Sequence, residues 1–197
     1  MAENQTLAYY NRNAEEFVAG TVAVDFRETQ EQFLRRLSPG AAVLDFGCGS
    51  GRDTKYFLER GMQVEAVDGS EALCKAASAY TGIPVRQMLF QELQEQEKYD
   101  GIWACASILH LPKPELQQVF GQMAAALRPA GIIYTSFKYG TWEGERNGRY
   151  FTDFTEETFG AFLEAFPQLQ REALWLSEDV RPGRTAEKWL NVILRKR

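Results

Sequence analysis

The chain has 197 residues, a formal net charge of −5 and 45% hydrophobic residues, a balance that is typical of a globular domain with a sizeable core. No apolar run approaches the roughly 18 residues that a membrane-spanning helix requires, and the polar start of the sequence lacks a signal-peptide pattern; we therefore expect a cytoplasmic protein with no membrane partner. The acidic balance argues against nucleic acid as a partner, because nucleic-acid binders usually carry a basic excess.

The predicted elements begin with two amphipathic helical segments and continue as alternating strands and helices. The helical segments cover residues 6–19 and 26–37, and we predict that residues 1–38 form an N-terminal helical cap. Seven strands are predicted at residues 41–46, 62–67, 84–89, 99–104, 131–137, 173–176 and 189–194. Helical patterns occupy most of the intervals between them, the clearest being the one that follows Pro114.

This alternation predicts the fold class. Strands that alternate with helices form a mostly parallel sheet covered on both faces. The last two strands have no helix between them, which allows an antiparallel hairpin at one edge. We therefore predict a doubly wound α/β fold in which residues 39–197 form a seven-stranded core, with the helical cap completing a single domain.

The most informative stretch is the glycine loop, which leaves the first strand as Asp45-Phe-Gly-Cys-Gly-Ser-Gly51. Its three glycines let the backbone turn sharply and approach a ligand closely. Asp45 is placed to meet a cationic amine, and Asp68, at the end of the second strand, can accept both ribose hydroxyls of an adenosine. The G-x-G-x-G spacing differs from the G-x-G-x-x-G of dinucleotide sites, although the loop alone is also consistent with a plain strand-to-helix turn.

Five segments together resemble a known family. The glycine loop is similar to the first motif of Rossmann-like (class I) methyltransferases that use S-adenosylmethionine (SAM), and Val64-Glu-Ala-Val-Asp-Gly-Ser70 resembles their acidic second motif. Residues 99–111, 125–131 and 9–17 resemble the family's fourth-strand, pre-fifth-strand and N-terminal segments. The resemblance, to the small single-domain type, implies a Rossmann-like fold, SAM as cofactor and S-adenosylhomocysteine (SAH) as product, and it leaves the methyl acceptor unassigned.

The resemblance also implies positions for the cofactor. The glycine loop would pass behind the methionine and ribose, Asp45 would bind the amino group and Asp68 the ribose. The predicted cofactor-binding residues are Tyr10, Asp45, Gly47, Cys48, Gly49, Gly51, Arg52, Asp68, Gly69, Ser70, Met88, Leu89, Phe90, Ala104 and Cys105. The chain departs from the family in residues 87–91, which lack an acidic residue for the adenine, and at Ala130, which replaces a turn glycine.

No catalytic residue or metal ligand is assigned. His110 and Tyr10 are the catalytic candidates, but the family carries a histidine at this position whatever its acceptor, which favours a structural or cofactor-side role for His110. Cys105 has no neighbour in sequence that would lower its pKa, so we do not predict a nucleophile. The three cysteines and single histidine lack the spacing of a zinc site or a disulfide framework.

The acceptor is expected between the N-terminal segment and residues 138–151, which we predict to be a long loop. This loop carries Trp142, Glu143, Glu145, Arg146, Arg149 and Tyr150. We predict methyl transfer to a small molecule. A tRNA or protein acceptor, and a SAM-binding protein without turnover, are the alternatives, and the glycine spacing makes an NAD-dependent oxidoreductase a poorer fit. The oligomeric state is not predicted.

Overall fold

A computed structural model describes residues 5–181 and 186–197 of the chain. Within these ranges the helices are α1 (Gln5–Arg12), α2 (Ala14–Thr21), α3 (Arg27–Leu34), α4 (Arg52–Glu59), α5 (Glu71–Thr81), α6 (Lys113–Ala126) and α7 (Glu156–Leu163). The strands are β1 (Ala42–Phe46), β2 (Gln63–Asp68), β3 (Val85–Gln87), β4 (Tyr99–Ala104), β5 (Leu127–Lys138), β6 (Glu143–Arg146), β7 (Arg149–Thr152), β8 (Leu169–Glu178) and β9 (Lys188–Lys196).

Seven of these strands form one sheet in the order β3-β2-β1-β4-β5-β9-β8. The pairs from β3 to β5 are parallel, with Asp45 of β1 opposite Ala66 of β2 and Trp103 of β4. β9 runs antiparallel to both β5 and β8. The predicted doubly wound α/β fold, its seven-stranded sheet and its C-terminal hairpin are therefore confirmed.

Apolar side chains cover both faces of the sheet. On one face Phe120 and Met123 of α6 pack with Ile102 of β4 and Ile133 of β5. On the other face Phe33 of α3 and Phe57 of α4 enclose Trp103, which stacks on Tyr134 with 4.0 Å between ring centroids. Adjacent residues of one strand serve opposite faces, as the two-residue period of a strand requires. Burial on both sides explains why these strands are almost continuously hydrophobic.

The largest difference from the predicted elements lies in residues 138–151. The predicted long loop instead contains the β6–β7 hairpin, in which Arg146 pairs with Arg149. Its two turn residues, Asn147 and Gly148, have φ angles of 52° and 73°. Two successive positive φ angles are typical of the type I′ turn that matches the twist of a hairpin.

The N-terminal cap differs in detail and closes over the glycine loop. The segment predicted as one helix is divided between α1 and α2 at Asn13, which has φ −110° and whose Nδ2 donates to the carbonyl of Tyr9. A Cβ atom placed on Gly69 would lie 2.7 Å from Leu7 of α1, and one placed on Gly49 would lie 3.0 Å from Phe17 of α2. The cap thus packs directly on the loop that leaves β1.

Candidate functional site

A cavity of about 430 Å³ lies where the carboxyl ends of the central strands meet the cap and the β6–β7 hairpin. Twelve residues that the sequence singled out line it: Tyr10, Gly47, Cys48, Gly49, Arg52, Asp68, Gly69, Met88, Leu89, Phe90, Cys105 and His110. Asp45, Gly51, Ser70 and Ala104 are not among the lining residues. The topology therefore brings most of the predicted cofactor site to one cavity.

The glycine loop lines this cavity with its backbone. Gly47 has a φ angle of 89°, and a Cβ atom there would lie 2.4 Å from the Cβ atom of Ser107. Ser107, which the sequence analysis did not single out, donates from Oγ to the carbonyl of Phe46 at 2.6 Å. A side chain at residue 47 would therefore collide with the loop after β4, which explains why glycine is required here.

Asp68 is held in place by the backbone on both sides. Its Oδ2 accepts from the Gly49 amide and its Oδ1 from the Ser70 amide, each at 2.9 Å. The carboxyl group is 9% exposed, and burial raises its pKa against the effect of these two bonds. Asp68 thus links the glycine loop to the start of α5 while it faces the cavity.

The predicted residues outside the lining have structural contacts. Asp45 is buried, and its Oδ2 accepts from the Thr54 hydroxyl at 2.5 Å; burial and the nearby Asp53 raise its pKa. Ser70 accepts from the Leu73 amide as the cap of α5 and donates to Asn11. A Cβ atom on Gly51 would lie 2.8 Å from Thr81 of α5, and Ala104 is fully buried.

Arg52 and Asp53 form a buried ion pair at the start of α4. Arg52 Nε donates to Asp53 Oδ1 at 2.8 Å, and Asp53 also accepts from Gln30 of α3 and from the Trp103 indole. Burial would raise the pKa of Asp53, but the Arg52 charge and these hydrogen bonds outweigh it and hold the pKa below its usual value. Both residues line the cavity, so this pair fixes a guanidinium at its edge.

Residues 88–90 form an apolar wall beside Asp68. Met88 is buried, Leu89 is 42% exposed, and Phe90 meets the Phe46 ring edge-on at 4.9 Å. A Cβ atom on Gly47 would lie 3.1 Å from the Phe90 ring. This wall next to a carboxylate and a glycine loop is suited to a flat apolar group joined to a hydroxylated sugar.

Tyr10 and His110 meet at the centre of the cavity. His110 Nδ1 lies 2.6 Å from the Tyr150 carbonyl, which can only accept, so Nδ1 carries the proton. Nε2 therefore accepts from the Tyr10 hydroxyl at 2.8 Å. Burial lowers the pKa of His110 to about 4 and raises that of Tyr10. An imidazole with so low a pKa is a weak base, and its Nε2 already accepts from Tyr10, which favours a positioning role over proton removal.

Cys105 is not activated as a nucleophile. Its Sγ lies 4.0 Å from Arg52 Nη2, but burial, reinforced by the Asp53 charge, raises the pKa of the thiol to about 12. A thiol at such a pKa is protonated near neutrality. This finding agrees with the sequence analysis, which predicted no nucleophile.

The part of the cavity farther from the glycine loop combines the β6–β7 hairpin with the end of the sheet. The hairpin contributes Arg146, Asn147, Arg149 and Phe151, whereas Trp142 is 52% exposed and does not line the cavity. The sequence analysis missed a second group from β5, β8, β9 and their connections: Ser136, Lys138, Ser177, Asp179, Trp189 and Asn191. No motif marks these residues, because only the pairing of β5, β9 and β8 brings them together.

Comparison with known proteins finds similarity to methyltransferases. Residues 43–131 match a family model described as a methyltransferase domain. A ubiquinone biosynthesis O-methyltransferase of Idiomarina loihiensis is 32% identical over 104 residues, covering 49% of this chain and 42% of the relative. A malonyl-[acyl-carrier protein] O-methyltransferase of Salmonella typhimurium is 25% identical and covers 70% of this chain and 60% of the relative.

A solved structure extends the likeness over nearly the whole chain. The 1,6-didemethyltoxoflavin-N1-methyltransferase of Burkholderia thailandensis, solved with 1,6-didemethyltoxoflavin and SAH, has a TM-score of 0.77 and 25% identity, covering 96% of this chain and 84% of that one. The chain therefore contains a stretch, residues 43–131, that matches a methyltransferase domain, and its fold is similar to that of this SAH-bound methyltransferase. The chain's matched part spans about two fifths of the ubiquinone-pathway relative. Within residues 5–181 and 186–197, no helix is long and apolar enough to cross a membrane.

Proposed function

We propose that this chain binds SAM and transfers its methyl group to a small-molecule acceptor. The observation that carries the proposal is that the glycine loop, Asp68 and the apolar wall of residues 88–90 line one cavity, which is also lined by polar and aromatic side chains of the β6–β7 hairpin and of β5, β8 and β9. The Burkholderia thailandensis methyltransferase is named for 1,6-didemethyltoxoflavin, which supports a small acceptor, whereas the Salmonella typhimurium relative is named for a malonyl group on acyl-carrier protein.

The cavity residues fit the cofactor by their chemistry. Asp68 keeps a carboxylate at the cavity wall that can accept ribose hydroxyls, the backbone of Gly47 and Gly49 permits close approach, and Leu89 with Phe90 offers an apolar surface to adenine. Arg52 is placed to meet a carboxylate of the methionine part. Asp45 does not line the cavity, so it would interact with the amino group of SAM indirectly, through the backbone of the glycine loop or through a bridging water molecule.

The protein's own task in the reaction is positioning. When bound, SAM supplies a methyl group already activated on a sulfonium. The cap, through Tyr10 and Phe17, and the β6–β7 hairpin enclose the cavity, which orients an acceptor and excludes water. Because His110 is a weak base at its lowered pKa and is hydrogen-bonded at both ring nitrogens, we propose that it orients Tyr10 and does not remove a proton from the acceptor.

The test is calorimetric titration of the protein with SAM, SAH and NAD. We expect micromolar binding of the first two and none of NAD. Asp68→Asn should weaken SAH binding by about 10- to 100-fold, because hydrogen bonds to a charged group contribute about 1.5–3 kcal/mol each. Asp25→Asn, which alters an exposed carboxylate paired with Arg27, is the matched control. Binding of NAD, or unchanged SAH affinity in Asp68→Asn, would contradict the proposal.

Turnover separates the enzyme from a SAM-binding protein without activity. Incubation with SAM and pools of small acceptors should release SAH, and the Asp68→Asn variant should release less under limiting SAM. Binding without SAH release from small molecules, tRNA or protein would favour the alternative without turnover. Release only with tRNA or protein would replace the small-molecule acceptor.

A further inference from the structure

The cations that line the cavity differ in their partners. Five are lysine or arginine, and four of them have a carboxylate partner: Arg52 with Asp53, Lys138 with Asp179 and Glu187, Arg146 with Asp153, and Arg181 with Asp179. Arg149 has no carboxylate within 4.0 Å among the residues the structure describes.

Arg149 is held by aromatic rings. Its guanidinium lies over the rings of Tyr9 at 4.5 Å and Phe151 at 5.1 Å. Contacts with ring faces hold a cation in place but give its N–H groups no acceptor oxygen.

The hydrogen bonds of Arg149 are correspondingly incomplete. Its Nη1 has a long contact of 3.5 Å to the Tyr10 hydroxyl, and its buried Nε has no hydrogen-bond partner within the described parts of the chain. Buried charged groups are normally paired and hydrogen-bonded, because their desolvation is costly. The guanidinium therefore keeps N–H donors that no described acceptor uses, although the side chain lines the cavity.

Arg146, on the same hairpin, differs from Arg149 in having a carboxylate partner. Arg146 is three residues earlier in the chain and also lines the cavity, but two of its nitrogens bond both oxygens of Asp153 at 2.7 and 2.8 Å. The two outer nitrogens of the Arg146 guanidinium therefore already have hydrogen-bond acceptors. A guanidinium fork matches a carboxylate or phosphate through two parallel hydrogen bonds, and on this hairpin only that of Arg149 remains available for a ligand.

The position of Arg149 assigns it to the acceptor side of the cavity. It begins β7, directly after the Asn147-Gly148 turn, and contacts Tyr9 and Tyr10 of α1. The glycine loop instead contacts Phe17 and Ser107, and the cation beside that loop is Arg52. Arg149 therefore belongs to the side of the cavity formed by the hairpin and α1, whereas Arg52 belongs to the side formed by the glycine loop.

We infer that Arg149 is a specificity-determining residue that binds an anionic oxygen group, a carboxylate or a phosphate, on a small acceptor with a flat apolar body. The rings of Tyr10, Phe151 and Trp189 around the cavity fit such a body. The inference rests on the proposed function, since it names the acceptor side of that same cavity.

The experiment uses the full chain loaded with SAH. Calorimetry or ligand-observed NMR would compare benzoate with benzamide, nicotinate with nicotinamide, and phenyl phosphate with phenol. We expect at least one acid to bind about tenfold or more tightly than its neutral counterpart, and phenyl phosphate against benzoate distinguishes the two anionic groups. Arg149→Gln should remove this preference, and Arg149→Lys, which keeps the charge without the fork, should retain part of it.

Controls separate this inference from the proposed function. Arg128→Gln, which alters an exposed arginine paired with Asp100, should leave the acid preference unchanged. SAH affinity should be the same in the wild type and Arg149→Gln, which also shows that the variant folds. The inference would be overturned if the wild type bound no acid in preference to its neutral counterpart, or if Arg149→Gln kept the preference. It would also be overturned if Arg149→Gln lost SAH affinity instead. Failure of the wild type to bind SAH would contradict the proposed function itself.

Discussion

The two halves of the cavity are built in different ways. The half around the glycine loop comes from short runs at the ends of β1, β2 and β4, in which Gly47 and Gly49 come soon after β1 and Asp68 is the last residue of β2. The other half combines α1, the β6–β7 hairpin and the ends of β5, β8 and β9. A site built from the turns at strand ends can be recognised from local sequence motifs. A pocket assembled from segments that are distant in the chain cannot.

The substitution with the largest expected effect disrupts only the half of the cavity around the glycine loop. Gly47→Val should abolish SAH binding, by at least about 100-fold, because its side chain would meet Ser107 at 2.4 Å and a φ of 89° disfavours a branched residue. Calorimetric titration with SAH measures the effect. Gly121→Ala is the matched control, since a Cβ atom there has no neighbour within 4 Å and alanine favours the helix. Near-normal SAH binding by Gly47→Val would show that the cofactor does not approach the backbone closely at residue 47.

A pH-dependent loss of stability tests the contact between His110 and Tyr10, which lies between the two halves of the cavity. The pKa of His110 is about 4 in the folded chain and about 6.5 when unfolded, so the unfolded state binds more protons between these values. This residue's contribution to the unfolding free energy is therefore complete above about pH 6.5 and falls as the pH decreases towards 4, by about 2 kcal/mol at pH 4.5.

The measurement is urea unfolding of the wild type and of His110→Asn at pH 7.5 and 4.5. Asp45, whose pKa is raised by burial, shifts stability in the opposite direction but equally in both proteins, so the difference between them isolates His110. If both proteins lose the same unfolding free energy, the imidazole is solvated and the Tyr10 contact does not exclude water.

The smallest effect concerns an irregular position near the start of β5, outside both halves. Ala130 has a φ of 63°, which costs an L-residue roughly 1–2 kcal/mol. Glycine removes this strain but adds about 0.4–1 kcal/mol of unfolded-state entropy. Ala130→Gly should therefore raise the unfolding free energy by about 0.5 kcal/mol without changing SAH affinity. A decrease in stability would show that the alanine methyl group packs favourably here.

Most of the sheet was predictable from sequence because burial on both faces makes its strands hydrophobic. The antiparallel edge followed from the lack of a helix between β8 and β9. The hairpin in residues 138–151 was missed because β6, Glu-Gly-Glu-Arg, has no alternation of apolar and polar residues. Its one signal was the Asn147-Gly148 pair, the favoured sequence of a two-residue turn.

The sequence by itself predicted the fold class, the glycine loop and the resemblance to methyltransferases, because each depends on patterns of residues close together in the chain. Only the tertiary structure separated Asp68, which faces the cavity, from Asp45, whose carboxyl group lies beneath the loop against Thr54. It also distinguished Arg146, paired with Asp153, from Arg149, which has no carboxylate among the described residues. Charge pairing and burial depend on which segments the fold brings together, and no local pattern records that.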